Sequence, residues 1–348
     1  MNPMIPGFGL TFFAAICVGA FAVPLRLRRR YEMENMWGLA YLVGIIVIPL
    51  LAAQMVLPDW SSVLRSAGAD TVLAAAFGVL WGIGSVTFAL GISAVGLSLG
   101  SALIGGITTA SGSVIPLVKR WHTVPGEARA LVLLGIVLCL VGVAFFGRAG
   151  ILRERSAVSD RPTPSATHPE GTVFLLGLVW CILSGLFSAC ANLGFDFAEP
   201  ISREFVRMGV HPAFASLGRW LPVYWGGYAS VLIFCGARLV KRRTWTHFAG
   251  PGAGRDFSLT MAMAVLLFSA QLFYCMGAQV LGRLGTSVGW AVYTASSLIV
   301  PNLFGFLSGE WRGTSARSIK ALVWGLFVLI VAMIFLAWGN SLVPGPGR

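Results

Sequence analysis

Apolar runs of spanning length, about 20 residues each, recur near 5–25, 37–57, 70–91, 95–118, 128–147, 172–193, 214–237, 258–280, 284–307 and 319–339. Very short connections join the third run to the fourth and the eighth to the ninth. The pattern predicts an all-α polytopic membrane protein with about ten transmembrane helices. Residues 1–6 (MNPMIP) carry no positive side chain, and the basic cluster RLRRR (26–30) follows the first run. The first run is therefore expected to stay as a span and not to serve as a cleaved leader.

Charge between the runs predicts orientation. An outside N-terminus puts the loops near 26–36, 148–171, 238–257 and 308–320 on the cytoplasmic side. Sixteen of the 25 Lys and Arg lie there, as the positive-inside bias requires. Lys119 and Arg120 fall on the other side in this arrangement. Both termini are expected outside, in a bacterial-type cytoplasmic (inner) membrane. Trp37, Trp60, Trp121, Trp245 and Trp311 sit near predicted span ends, where indoles anchor at the interface.

Composition agrees with the pattern. Of 348 residues, 57% are hydrophobic and only 11% charged, and the mean hydropathy is +0.82. A soluble domain carries about 25% charged residues, so these few charges cannot coat a water-soluble globule. The net charge of +12 is read as loops attracted to anionic lipid, not as a nucleic-acid surface. Cys17, Cys139, Cys181, Cys190, Cys235 and Cys275 lie inside apolar runs without metal-ligand spacing, so they read as small buried hydrophobes. The four histidines lie in or beside polar connections, and there is no HExxH pattern. No metal, no cofactor and no enzymatic activity are expected. GLSLG (96–100) fits GxSxG, but no His lies within a span to serve as its base. GPGAGR (250–255) follows no strand and reads as a turn.

The chain repeats itself. TASGSVIP (109–116) and TASSLIVP (294–301) stand at one offset, and Leu99-Gly100-Ser101 meets Leu284-Gly285-Thr286 at the same offset. After a longer loop, Ala130-Leu131-Val132 meets Ala321-Leu322-Val323. These places correspond in the fourth and ninth spans and in the fifth and tenth. The expected organisation is a first five-helix repeat (1–147), a cytoplasmic linker (148–171) and a second five-helix repeat (172–348). An odd number of spans per repeat inverts the second half, an architecture of secondary transporters. Gly96-x-x-x-Gly100 and Gly285-x-x-x-Gly289 predict close helix approach. Pro116 and Pro301 remove a backbone donor and release the carbonyls of Gly112 and Ser297. Thr109, Ser111, Thr294 and Ser296 can satisfy such groups or face a cavity. The segments therefore read as helix-bending elements, with direct substrate contact as the other reading.

WGIGSVTFALGISAVGLSLGSALIGGIT (81–108), RAGILRER (148–155), GLFSACANLGFDFA (185–198) and GEWRGTS (309–315) resemble the L-rhamnose–proton symporter family of the drug/metabolite transporter superfamily. The resemblance runs along nearly the whole chain. Where the family pattern has Asn after WGIG, Ser85 stands here, and GTSVGWAVYT (285–294) holds aromatics but no carboxylate. The resemblance implies alternating-access transport of a monosaccharide with protons as the partner ion.

A sugar site needs hydrogen-bonding side chains and aromatic faces. The candidates are Trp81, Ser85 and Thr87 in the third span, Asn192 in the sixth, Gln271 and Tyr274 in the eighth, and Trp290 and Tyr293 in the ninth. Interhelical hydrogen bonding without substrate is the alternative for each. Proton coupling needs an ionisable group within the membrane. Asp196, at the end of the sixth span, is the candidate, with Arg219 as its counter-charge. The alternative is that both are interfacial residues reaching for water. Two further functions stay open at this level: an exporter of the same architecture, and a non-transporting membrane receptor or scaffold. GLTFFAAICVGAFAVPL (9–25) lacks the mid-membrane carboxylate that a lipophilic-cation exporter would want.

Overall fold

The computed structural model describes residues 4–159, 171–307, 311 and 313–343. Linker positions 160–170, Glu310 and the Pro301 side chain lie outside that description. Among the described residues every element is helical: α1 (Met4–Ala20), α2 (Met33–Tyr41), α3 (Ile48–Val56), α4 (Trp60–Ser66), α5 (Gly68–Val95), α6 (Leu97–Lys119), α7 (Gly126–Ser159), α8 (Gly171–Phe197), α9 (Glu199–Arg207), α10 (Pro212–Ala215), α11 (Leu217–Arg242), α12 (Ala253–Val280), α13 (Gly285–Ser297), α14 (Ile299–Leu307) and α15 (Ala316–Ser341). Nine segments among them are long and apolar enough to cross a membrane.

The expected ninth span, 284–307, is two helices, α13 and α14, parted at Leu298. Pro301 cannot donate to the Ser297 carbonyl, so the ladder stops there. The matching Pro116 lies in the last turn of α6, and that helix runs through it unbroken. Between α2 and α3 the chain winds one π-helical stretch, Leu42–Val47, just before Pro49. Helix α7 continues to Ser159, through the first residues of the expected linker.

Gly96 departs from the close-approach reading. Its φ is +90°, and a Cβ there would meet nothing within 4 Å. It turns the chain from α5 into α6, a conformation that glycine adopts without steric cost.

The chain divides into two compact units, Met1–Ile83 with Cys190–Val280, and Gly84–Ala189 with Leu281–Arg348. In the first unit α1 packs on α12, where a Cβ on Gly277 would lie 2.5 Å from Thr11 Oγ1. The start of α5 packs on α11 through Gly78 and Gly226, whose Cβ positions fall about 2 Å from backbone carbonyls of the opposite helix. Small residues at such crossings let backbones approach, which is how helices associate where lipid removes the hydrophobic drive.

In the second unit α7 and α15 run antiparallel along their length. Gly339 meets Ala128 and Val132, Gly142 meets Leu329, and Ser318 Oγ donates to the Ala149 carbonyl at 2.6 Å.

Candidate functional site

The first unit holds a buried polar cluster where α8, α11 and α12 meet. Asn192, Phe195 and Asp196 share one face of α8, because positions i, i+3 and i+4 line up on a helix. All three are buried, Asp196 at 1% exposure. From α11 come Arg219, 5% exposed, and the fully buried Trp220 and Tyr224. From α12 come Gln271 and Tyr274, one turn apart and both buried.

The contacts tie these side chains together. Tyr274 Oη donates a hydrogen bond to Asn192 Oδ1. Arg219 Nε donates to the Phe195 carbonyl at 2.7 Å, and its guanidinium carbon lies 3.8 Å from the centre of the Phe195 ring. Trp220 stacks on Phe195 at 5.0 Å and on Tyr224 at 5.3 Å, and meets Tyr274 at 6.3 Å edge-on. Trp220 Nε1 is buried with no hydrogen-bond partner among the described residues. The cluster thus combines aromatic faces, amide and hydroxyl groups, a carboxylate and a guanidinium, all removed from solvent. Trp81, half-buried, seats its ring over Gly227 and lies 6.2 Å from Tyr41.

Two other buried carboxylates of this unit have structural partners. Glu34, 1% exposed, accepts from Thr244 Oγ1 at 3.1 Å and pairs with Arg238 at 3.5 Å and Arg242 at 3.9 Å. Asp256 accepts the backbone N–H groups of Arg29, Arg30 and Tyr31 at 2.6–3.2 Å.

The remaining sequence candidates fall in the second unit. Trp290 Nε1 donates to the Thr108 carbonyl at 3.0 Å, and the indole lies over Gly112, where a Cβ would come within 2.1 Å of Nε1. Tyr293 lies 5.4 Å from Trp290, ring to ring. The hydroxyls of Thr109 and Thr294 meet at 2.9 Å. Ser111 Oγ donates to the Ile107 carbonyl at 2.6 Å, Thr87 Oγ1 to Gly84 at 3.0 Å, and Ser296 Oγ lies 3.9 Å from Met333 Sδ. Ser85 is half-buried and Pro116 is buried. The structure therefore sorts the sequence candidates into two groups, one in each unit.

Sequence reasoning missed Phe195, Trp220 and Tyr224. The available signal was the stretch RWLPVYW (219–225), with aromatics at i and i+4 immediately after an intramembrane Arg.

The family model for L-rhamnose-proton symport protein (RhaT) matches residues 1–341. The chain belongs to that family. Among curated RhaT relatives, the L-rhamnose-proton symporter of Cronobacter sakazakii is 28% identical, over 98% of this chain and 99% of the relative. The proteins of the same name from Yersinia pestis and Klebsiella pneumoniae are 25% identical over 98% and 99%, and 26% identical over 94% and 95%. A RhaT-family chain is a multi-pass membrane transporter, and that fits the all-helical architecture. The family's name pairs a neutral sugar with a proton. Within the first unit, the cluster of Asn192, Asp196, Arg219 and Tyr274 holds an amide, a carboxylate, a guanidinium and a phenol hydroxyl out of solvent.

Proposed function

We propose that this chain imports L-rhamnose, or a sugar very like it, together with protons across the bacterial inner membrane. The observation that carries the proposal is the burial of Asp196 and Arg219 beside the bonded pair Asn192–Tyr274. Ionisable groups within a membrane protein's interior are costly and mark transport pathways or proton relays. Asp196 is chosen for coupling because it is a carboxylate at 1% exposure on the same face of α8 as Asn192, one turn away.

In this reading Asp196 takes the proton and Arg219 is its counter-charge. The amide and hydroxyl groups of Asn192, Gln271 and Tyr274 meet sugar hydroxyls, and Phe195 and Trp220 supply apolar faces. The two halves act as inverted repeats and alternate access to the site. The antiparallel course of α7 and α15, which are the fifth and tenth spans, and the meeting of Thr109 with Thr294 support the inverted arrangement. Both termini lie outside, as the basic loops require. The chain acts as a carrier and not as an enzyme.

The test is uptake of radiolabelled L-rhamnose into proteoliposomes with and without an inward proton gradient. Gradient-stimulated uptake by the unsubstituted protein, lost in Asp196→Asn, is the expected result. Stimulated uptake that survives Asp196→Asn removes Asp196 from coupling. Absence of rhamnose uptake in a folded preparation overturns the substrate.

A further inference from the structure

A cavity of about 620 Å³ opens in the first unit between the α4 region and α9. Its size falls within the range of small-molecule clefts, roughly 300–1,000 Å³. Asp59, Ser66, Asp70, Arg203, Glu204 and Arg207 line it. One pair within it is joined, Arg207 Nη1 to Glu204 Oε2 at 3.0 Å.

The lining selects a kind of ligand. Both signs of charge line the space, Asp59 and Asp70 from the α4 side and Arg203, Glu204 and Arg207 from α9, so an anion meets carboxylates and a cation meets guanidiniums. A hydroxyl group meets neither objection, because it donates to a carboxylate and accepts from a guanidinium.

Position adds a second argument. Ile201 forms part of the cavity wall, and it is 1% exposed. A Cβ on Gly218 would lie 2.4 Å from the Phe205 ring and 3.5 Å from Ile201. Gly218 immediately precedes Arg219, and Ile201 stands five residues beyond Asp196, across the break between α8 and α9. Ile201 thus touches both the cavity and the start of α11, and Phe205 packs beside it on Gly218.

We infer that this cavity is an antechamber that binds an uncharged, polyhydroxylated ligand and passes it to the buried cluster, with Ile201 and Phe205 as the gate between them. The inference rests on the sugar-carrier reading above. In the orientation proposed there, the cavity faces outside, where an imported sugar arrives.

Two measurements test it on the full-length protein, with L-rhamnose as probe. Saturation-transfer NMR in detergent micelles reads weak binding directly. Asn192→Ala, which alters the buried cluster, is expected to keep a saturation-transfer signal. Adding Asp59→Asn and Asp70→Asn to it is expected to abolish that signal. In proteoliposomes, Asp59→Asn/Asp70→Asn is expected to lower kcat/KM for uptake at least fivefold while the rate at saturating sugar stays within twofold. Arg203→Gln is expected to reproduce the effect through the opposite charge. These side chains line an open cleft, so unchanged thermal unfolding serves as the folding control. An undiminished signal in the triple variant, or kcat/KM within twofold of the unsubstituted protein, overturns the antechamber. If the unsubstituted protein takes up no rhamnose, the transport reading fails, and the micelle experiment alone decides whether the cavity binds the sugar.

Discussion

Thr109 and Thr294 occupy equivalent positions in the repeated TAS segments, and their hydroxyls meet at 2.9 Å. Each also lies on the carbonyl four residues back in its own helix, Gly105 at 2.8 Å and Trp290 at 2.7 Å. Two equivalent residues touch only where the axis relating two repeats passes between them. The contact of Thr109 with Thr294 is one expectation of the two-fold relation proposed above for the repeats. Helices α7 and α15 run antiparallel in the same unit, in keeping with such an axis.

A double-mutant cycle measures this contact. Interhelical hydrogen bonds inside membranes are worth about 0.6 kcal/mol on average. Thr109→Val and Thr294→Val are each expected to destabilise modestly, and the double substitution by less than the sum. Strict additivity of the two effects in detergent unfolding would show that the hydroxyls do not bond to one another.

Gly112 makes room for the Trp290 indole. A methyl group there would fall 2.1 Å from Nε1 and displace the bond to the Thr108 carbonyl. Gly112→Ala is expected to cost about 1–3 kcal/mol by overpacking. Gly105→Ala is the control, because the nearest atom to its added Cβ is 3.9 Å away. Equal melting temperatures for the two variants would contradict this packing.

Much of this architecture was legible in the apolar pattern, because span length is set by bilayer thickness and not by partner helices. The breaks were harder. Pro116 and Pro301 look alike in sequence, yet α6 stays whole and the ninth span divides at Leu298. One proline sits in a final turn and the other mid-span. Gly96 looked like a packing glycine and is a turn, since only φ separates the two roles. Asn192 and Gln271 were legible as polar groups too costly to face lipid, and Asp196 and Arg219 as ionisable groups near span ends. Their grouping was not, because α8, α11 and α12 meet only in the fold. Trp220 was hidden among 12 tryptophans.

Tyr274 orients Asn192 through the bond between them. Tyr274→Phe removes that bond at a net stability cost of about 1 kcal/mol. If Asn192 holds a sugar hydroxyl, KM for rhamnose is expected to rise roughly tenfold, equivalent to about 1.4 kcal/mol, with kcat changing less. An unchanged KM would assign the pair to packing alone.

Asp256 ties the connection between α1 and α2 to the start of α12. Its carboxylate accepts three successive backbone N–H groups, from Arg29, Arg30 and Tyr31. Arg30 Nε adds a bond to the His247 carbonyl at 3.1 Å. Oδ2 accepts from all three amides, and Oδ1 shares the Arg29 N–H at 3.1 Å. Asp256→Asn keeps the shape but removes the negative charge on which the three donors converge, and sets an amide NH₂ against the Arg29 N–H in place of Oδ1. Hydrogen bonds to charged groups contribute roughly 1.5–3 kcal/mol, so the strap is expected to loosen locally while the spans hold. The measurement is hydrogen exchange at residues 29–31, with trypsin cleavage at Arg28, Arg29 and Arg30 as a second readout. Exchange at residues 29–31 should rise at least tenfold in the variant, and cleavage should follow it. Thr260→Val, which removes a bond to the Asp256 carbonyl but leaves the carboxylate in place, should leave the strap protected. If Asp256→Asn retains the original protection, the three amides are held by the surrounding packing and not by the carboxylate.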